Sequence, residues 1–370
     1  AYLYDVDGND YVDLVSGLLP NILGYRDPDV DQAIRDQLSR GISFSMSTTL
    51  EADLAARLAN YIPCAEMSRF GKSGTDVTTA AIRLARAHRD RSFILKARHG
   101  YHGWAAWSTC LDPMRKLGTN DDGGVVGVFE YGDMESIHKL IPNKSGCAAI
   151  IVEPETNPQF LQEIRDYCTK TGTILIFDEI ITGFRFGMGG AQKYYGITPD
   201  LACFGKAMGN GMPISALCGK REIMKLMEKV CFSGTFFGEA LSLAAAIATI
   251  DKLSRKNIPN HLHYITGILF RSAQSLIAKH GLRDHITISG GLLTRLSFKD
   301  PRIHTLFMQK MIEQGVLIIA SHNINYAMKD PELNKIIKAY DHTLTHIRNM
   351  IDSGGLDDVE PANPTVRGAA

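Results

Sequence analysis

Two adjacent carboxylates close an apolar run in Ile174-Leu-Ile-Phe-Asp178-Glu179-Ile180. If that run is a buried strand, the pair sits at its carboxyl end, the edge of an open α/β sheet where ligands bind. A charge held there costs free energy unless a partner compensates it. The readings are therefore a functional acid, a capping Asp or a structural ion pair. A lone lysine follows another apolar run in Leu201-Ala-Cys-Phe-Gly205-Lys206-Ala-Met-Gly209-Asn-Gly211-Met-Pro213. Glycines let backbone and ligand approach closely, and an amine kept among apolar groups gives up its proton more easily and attacks aldehydes. The plainer alternative is a surface lysine in a glycine-rich loop. Arg69-Phe-Gly71-Lys72-Ser73-Gly74-Thr75-Asp76 opens a helical pattern with apolar Val77, Ala80, Ala81, Leu84 and Ala87. Amides and hydroxyls at a helix start suit a phosphate, although Ser73-x-x-Asp76 is also a capping box that needs no ligand. His99-Gly-Tyr101-His102-Gly103-Trp104 offers an aromatic ring able to stack on a planar group or simply to fill the core.

Positioning these groups requires a layered scaffold, and the apolar patterning provides one. Short runs, apolar on both faces, are expected strands at 93–96, 125–129, 148–152, 174–177, 201–204 and 215–218. Helical stretches at 76–90, 134–141 and 159–171 lie between them. Such alternation implies an α/β fold with a mostly parallel sheet covered on both sides. Upstream, 2–14 reads as two strands joined at an Asp-Gly turn, and helices are expected at 29–40 and 51–61. Downstream, a long apolar helix at 240–253 precedes a smaller α+β part, with strands at 293–298 and 316–320 and helices at 303–314 and 334–351. The expected organisation is an N-terminal segment (1–60), a large domain (61–254), a small C-terminal α+β domain (255–352) and a disordered tail or linker (353–370).

Composition removes several function classes. Lys+Arg and Asp+Glu both total 40, so the formal net charge is zero, which argues against a nucleic-acid binder that must neutralise phosphates. No apolar run approaches the roughly 20 residues that span a bilayer. The 7 cysteines include no CxxC pair and several sit in apolar runs, which fits reduced, buried thiols in a cytoplasmic protein. Neither HExxH nor clustered Cys/His spacing occurs, so no metal site is expected. A GxSxG elbow is absent, and the Gly205–Gly211 stretch is not a dinucleotide fingerprint. His261 and His263 are expected on a solvated helix. The chain opens on Ala1 rather than Met, and residues preceding it are expected to be missing.

One ligand accounts for all four chemical stretches together. Pyridoxal 5'-phosphate needs a lysine for its aldehyde, an acid for its ring nitrogen, a phosphate cradle and apolar or aromatic ring faces. The acid keeps the ring nitrogen protonated; a charge-assisted hydrogen bond of that kind contributes on the order of 1.5–3 kcal/mol.

The ordered motifs Ser73-Gly-Thr75, Tyr101-His-Gly103, Val152-Glu153-Pro154, Asp178-Glu-Ile-Ile-Thr-Gly-Phe-Arg185, Pro199-Asp200 with Lys206, and Gly234-Thr235-Phe236 resemble the class III aminotransferases of PLP fold type I. The chain is most similar to their glutamate-1-semialdehyde aminomutase branch. The resemblance spans about 2–351 and implies a large domain with a mostly parallel seven-stranded sheet between helices, plus the smaller domain. It implies that Lys206 holds the cofactor as a Schiff base and shuttles the substrate proton, and that Asp178 pairs with the ring nitrogen. It further implies that Ser73, Gly74 and Thr75 cradle the phosphate, that Tyr101 and Ile180 cover the two ring faces, and that His102 and Glu153 lie at the cofactor. Thr235 would reach the phosphate of a neighbouring subunit, making a homodimer with shared sites. Several positions depart from the family pattern. Lys72 stands where asparagine is usual, Asp76-Val77 replaces Glu-Ala, Glu239-Ala240 replaces Asn-Pro, Glu155-Thr-Asn-Pro replaces a hydrophobic-plus-glycine stretch, and Ser47 stands where proline is frequent. An amino-terminal segment that lines the substrate pocket in relatives is expected to be absent.

The expected activity is transfer of an amino group between a small-molecule amino donor and a carbonyl acceptor. The alternatives are an aminomutase or racemase using the same cofactor, and a non-catalytic PLP-binding sensor or scaffold. Arg185 is either a clamp for a substrate carboxylate or a structural ion-pair partner.

Overall fold

The computed structural model describes residues 1–109, 125–141 and 146–361; Cys110 and residues 362–370 of the expected tail lie outside them. The chain forms two compact units, one of Pro28–Lys256 and one of Ala1–Asp27 joined by the chain from Asn257 onward. It opens on an antiparallel hairpin, β1 (Tyr2–Tyr4) and β2 (Asp10–Asp13), that belongs to the latter unit.

Within Pro28–Lys256, helices α1 (Pro28–Leu38) and α2 (Thr49–Tyr61) lead into β3 (Met67–Gly71), α3 (Gly74–Arg89), β4 (Ile94–Ala97) and the short α4 (Ala106–Thr109). There follow β5 (Val126–Phe129), α5 (Met134–Leu140), β6 (Ala149–Val152), α6 (Pro158–Thr171), β7 (Ile174–Asp178), α7 (Gly190–Tyr195) and β8 (Leu201–Phe204). The unit ends with β9 (Ser215–Gly219), α8 (Arg221–Met224) and α9 (Ala240–Arg255). Its strands form one seven-stranded sheet in the order β3-β9-β8-β7-β6-β4-β5, parallel except where β9 runs against β8 and β3. Strands β4, β6, β7 and β8 are buried along their whole length, because their apolar residues face helices on both sides. The six strands expected from apolar runs are present; β3 is the addition. It was not legible because it is an edge strand whose Met67, Ser68 and Arg69 are not buried.

One core cluster packs Val77, Ala81 and Leu84 of α3 against Ile151, Ile176, Leu201 and Leu217 of the sheet. Each fully buried Val, Leu or Ile side chain contributes about 1.5–3 kcal/mol. Helix α3 begins where Ser73, in extended conformation, caps it: the Asp76 amide donates to Ser73 Oγ, and the Ser73 amide donates to Asp76 Oδ2 at 2.8 Å. Helix α6 starts on an Asn157 cap followed by Pro158 and stops at Gly172 in left-handed conformation. Of the six described cysteines, five are buried and Cys231 is exposed; burial pushes the Cys147 and Cys218 thiols up to about 12.

In the other unit β2 pairs in parallel with β12 (Val316–Leu317), so residues 1–27 group with the C-terminal part of the chain. Strands β10 (Ile286–Ser289), β11 (Thr294–Phe298) and β13 (Ser321–His322) form a second small sheet. Helices α10 (Ile258–Lys279), α11 (Pro301–Glu313) and α12 (Asp330–Asp352) complete the unit. The strand expected at 316–320 is shorter than its apolar run, and the segment expected to be unstructured carries a 3-10 turn at Gly355–Asp358. His261 lies on α10 as expected but is not solvated: it is partly buried, and a ring nitrogen is 2.9 Å from the Met328 carbonyl oxygen. His322 is buried with Nε2 2.6 Å from the Tyr340 hydroxyl, and burial depresses its pKa to about 3.

Candidate active site

Four neighbouring parallel strands deliver the expected residues at their carboxyl ends, all within Pro28–Lys256. Asp178 ends β7, Lys206 follows β8 after a single glycine, Glu153 follows β6, and Tyr101 and His102 lie on the loop after β4. Gly74 and Thr75 open α3 after β3, which runs in the same direction. Residues scattered over about a third of the chain are thereby gathered on one sheet edge, the side where such folds bind ligands.

The partners of each carboxylate distinguish the two adjacent acids, Asp178 at the end of β7 and Glu179 just past it. Asp178 is 4% exposed and its Oδ2 lies 2.8 Å from Nδ1 of buried His102. Its other oxygen accepts from the Ile180 amide at 3.1 Å. Glu179 is fully buried and occupied elsewhere. It accepts from the Thr182 hydroxyl at 2.9 Å, the Gln192 side-chain amide at 3.0 Å, and the Ala191 and Gln192 backbone amides at the start of α7. Burial raises its pKa, with those donors opposing. Glu179 is thus the structural acid of the pair, and these donors offset the desolvation cost of several kcal/mol for a buried carboxylate.

Lys206 has a left-handed backbone, φ 37°, a conformation costing a non-glycine residue about 1–3 kcal/mol and concentrated at functional sites. Its side chain is partly buried, and its amine has no hydrogen-bond partner among the described residues. Burial lowers its pKa; the Asp178 and Glu153 carboxylates oppose that shift and buried Arg185 adds to it. Glu153 accepts from the Tyr101 amide at 3.1 Å, and burial pushes its pKa up to about 7, with Asp178 adding and His102 opposing. Arg185 is 5% exposed and burial lowers its pKa to about 10.

The capping box leaves the Gly74 and Thr75 amides without hydrogen-bond partners among the described residues, at the positive end of a 16-residue helix. Thr75 Oγ1 accepts from the Trp104 amide at 3.3 Å. Two glycines permit this packing. A Cβ on Gly103, whose φ is +99°, would stand 2.3 Å from Thr75 Oγ1, and one on Gly205 would stand 3.0 Å from Ile180 Cδ1. Ile180 also lies against Gly74, where a Cβ would meet its Cγ1 at 3.4 Å. The Tyr101 ring is half exposed. These groups fit pyridoxal phosphate: a free amine, a buried carboxylate, open amides at a helix start and an apolar side chain between close-packed glycines.

Two residues of the motifs stand apart from this cluster. Asp200 is a structural anion, accepting from Arg165 at 2.9 Å, Lys220 at 2.6 Å and the Leu175 amide at 2.8 Å. Thr235 is exposed, and its hydroxyl has no partner among the described residues. Sequence reasoning missed one relationship: Lys72 and Glu239, separately noted as departures, form an ion pair at 2.9 Å. Their opposite charges at two unusual positions were the available signal.

The class-III aminotransferase family model matches residues 1–351. The chain is 35% identical to the glutamate-1-semialdehyde 2,1-aminomutase of Desulforamulus reducens, over 85% of this chain and 81% of that protein. It is 32% identical to the 3-aminobutyryl-CoA aminotransferase of Cloacimonas acidaminovorans, over 94% of this chain and 87% of that one. Among solved structures, the PLP internal aldimine form of the FumI protein from Sphingopyxis sp. MTA144 superposes with a TM-score of 0.88 at 25% identity, covering 98% of this chain and 89% of that one.

Proposed function

Because the chain belongs to the class-III aminotransferases, it is a pyridoxal-phosphate enzyme that moves an amino group between a donor and a carbonyl acceptor, and we propose that Lys206 holds the cofactor. The observation that carries this reading is the meeting of a partnerless amine, the His102-bound Asp178 carboxylate and the open Gly74 and Thr75 amides on one sheet edge. When bound, the cofactor supplies an electron sink for charge developing at the substrate carbon.

The protein's own groups do the rest. Asp178 holds a proton on the ring nitrogen, and His102 orients Asp178. Lys206, with its proton affinity lowered by burial, would shuttle a proton between the substrate carbon and the cofactor. Gly74 and Thr75 bind the phosphate through backbone amides and a hydroxyl, and Ser73 fixes the helix start that presents them. Tyr101 covers one ring face and Ile180 the other, while Glu153 anchors the Tyr101 backbone. Thr235, exposed on its own chain, serves the phosphate of a second subunit, so the working unit is a homodimer with shared sites. We assign 61–254 to cofactor binding and place the protein in the cytoplasm, in keeping with its free cysteines. No described helix is long and apolar enough to cross a membrane.

The visible spectrum of the purified protein, followed as a panel of amino donors and then keto acceptors is added, tests this reading. A band that one donor bleaches and one acceptor restores names the half-reactions, and Lys206→Ala should lack the band. A wild-type band that persists in Lys206→Ala would remove Lys206 from its role. The relationship to glutamate-1-semialdehyde aminomutase at 35% identity supports a second reading, transfer of nitrogen within one substrate. That enzyme would turn over one substrate with no added acceptor.

A further inference from the structure

We propose that the Lys72–Glu239 ion pair is a positioning element for phosphate binding, tying the loop that opens α3 to the loop that carries Thr235. Lys72 Nζ lies 2.9 Å from Glu239 Oε2, and the two side chains are only 19% and 12% exposed. A pair this sheltered from water is not a screened surface contact; removing one member leaves the other charge poorly compensated.

Each partner is fixed at its other end to a different element. The Lys72 amide donates to Asp76 Oδ2 at 3.0 Å, beside the Ser73 amide, which donates to the same oxygen. Lys72 is therefore built into the turn that presents the Gly74 and Thr75 amides. Glu239 caps α9, accepting from the Ser242 hydroxyl at 2.6 Å and from the Leu241 and Ser242 amides. Its own amide donates to the Phe236 carbonyl at 3.1 Å, closing the turn next to Thr235. Burial pulls the Glu239 carboxyl upward, but the Ser242 and Lys72 contacts outweigh it and hold its pKa below the usual value.

The two residues are 167 positions apart in the chain, yet their side chains meet as opposite charges. The proposal rests on the reading of Gly74, Thr75 and Thr235 as phosphate ligands.

The test is titration of cofactor-free protein with pyridoxal phosphate and with pyridoxal, which lacks the phosphate, followed by visible absorption. Lys72→Met should weaken pyridoxal phosphate binding roughly 3- to 10-fold, the range for indirect coupling, and leave pyridoxal binding unchanged. The double variant Lys72→Met/Glu239→Gln should be no weaker than Lys72→Met alone. Equal weakening toward both ligands, or none toward pyridoxal phosphate, overturns the proposal. If Lys72→Met does not fold, Lys72→Asn is read in the same way and Lys72→Arg should retain wild-type affinity. A wild-type protein that fails to prefer pyridoxal phosphate over pyridoxal would instead overturn the underlying phosphate reading.

Discussion

His102 Nδ1 lies 2.8 Å from Asp178 Oδ2 with both side chains buried. A carboxylate can only accept, so Nδ1 carries the hydrogen and the imidazole fixes the orientation of the acid. Asp178→Asn should lower kcat about 10- to 100-fold, the loss of one charge-assisted hydrogen bond of about 1.5–3 kcal/mol. His102→Asn should act in the same direction but less, with KM little changed. Steady-state kinetics decide; an unaltered kcat in Asp178→Asn removes it from the chemistry.

The close approach of Gly103 to Thr75 predicts a cost separable from backbone strain. Gly103→Ala combines a left-handed φ with a contact of 2.3 Å, whereas Gly196→Ala shares the left-handed φ (+72°) with nothing within 4 Å. Thermal unfolding should show Gly103→Ala destabilised by about 2–4 kcal/mol and Gly196→Ala by about 1. Cofactor affinity should fall only in the former. Equal losses would mean that the Thr75 contact carries no weight.

Glu153 holds its proton up to about pH 7 in the folded protein but only to the usual carboxylate range when unfolded. The native state then binds more protons between about pH 4.5 and 7, so the stability contribution of Glu153 is present at low pH and is lost as pH rises through that window. Glu153→Gln should flatten the fall in stability of the cofactor-free protein across this range, as read by denaturant titration at several pH values. Parallel curves for wild type and variant would refute the assignment.

His322 has the opposite sign. Its folded pKa of about 3 lies below its ordinary value, so the unfolded chain binds more protons between about pH 3 and 6.5. Stability from this site is complete above pH 6.5 and declines by up to about 5 kcal/mol as pH falls to 3. His322→Asn should lower stability at pH 7, through loss of the Tyr340 hydrogen bond, yet reduce its slope with pH below 6.5. An unchanged slope would show that another group controls acid unfolding.

The strands that position the site were legible because each is apolar on both faces, and Lys206 and Asp178 stood out because each follows such a run. Other features have no local trace. Adjacency alone does not separate Asp178 from Glu179; only their partners do, His102 for the first and the donors around α7 for the second. Strand β3 escaped because edge strands keep polar residues, and β10 because two of its four residues are exposed. The Lys72–Glu239 contact joins distant parts of the chain, and no periodicity reports a pairing of that kind.

The distribution of sulfur has a practical consequence. All six described cysteines belong to the Pro28–Lys256 unit, and only Cys231 is exposed. Under native conditions an alkylating reagent should modify Cys231 at once and reach Cys64, Cys147, Cys168, Cys203 and Cys218 only when the sheet opens. The rate at which those five masses appear in a spectrometer is then a clock for opening of that unit, and it stays silent when the other unit comes apart.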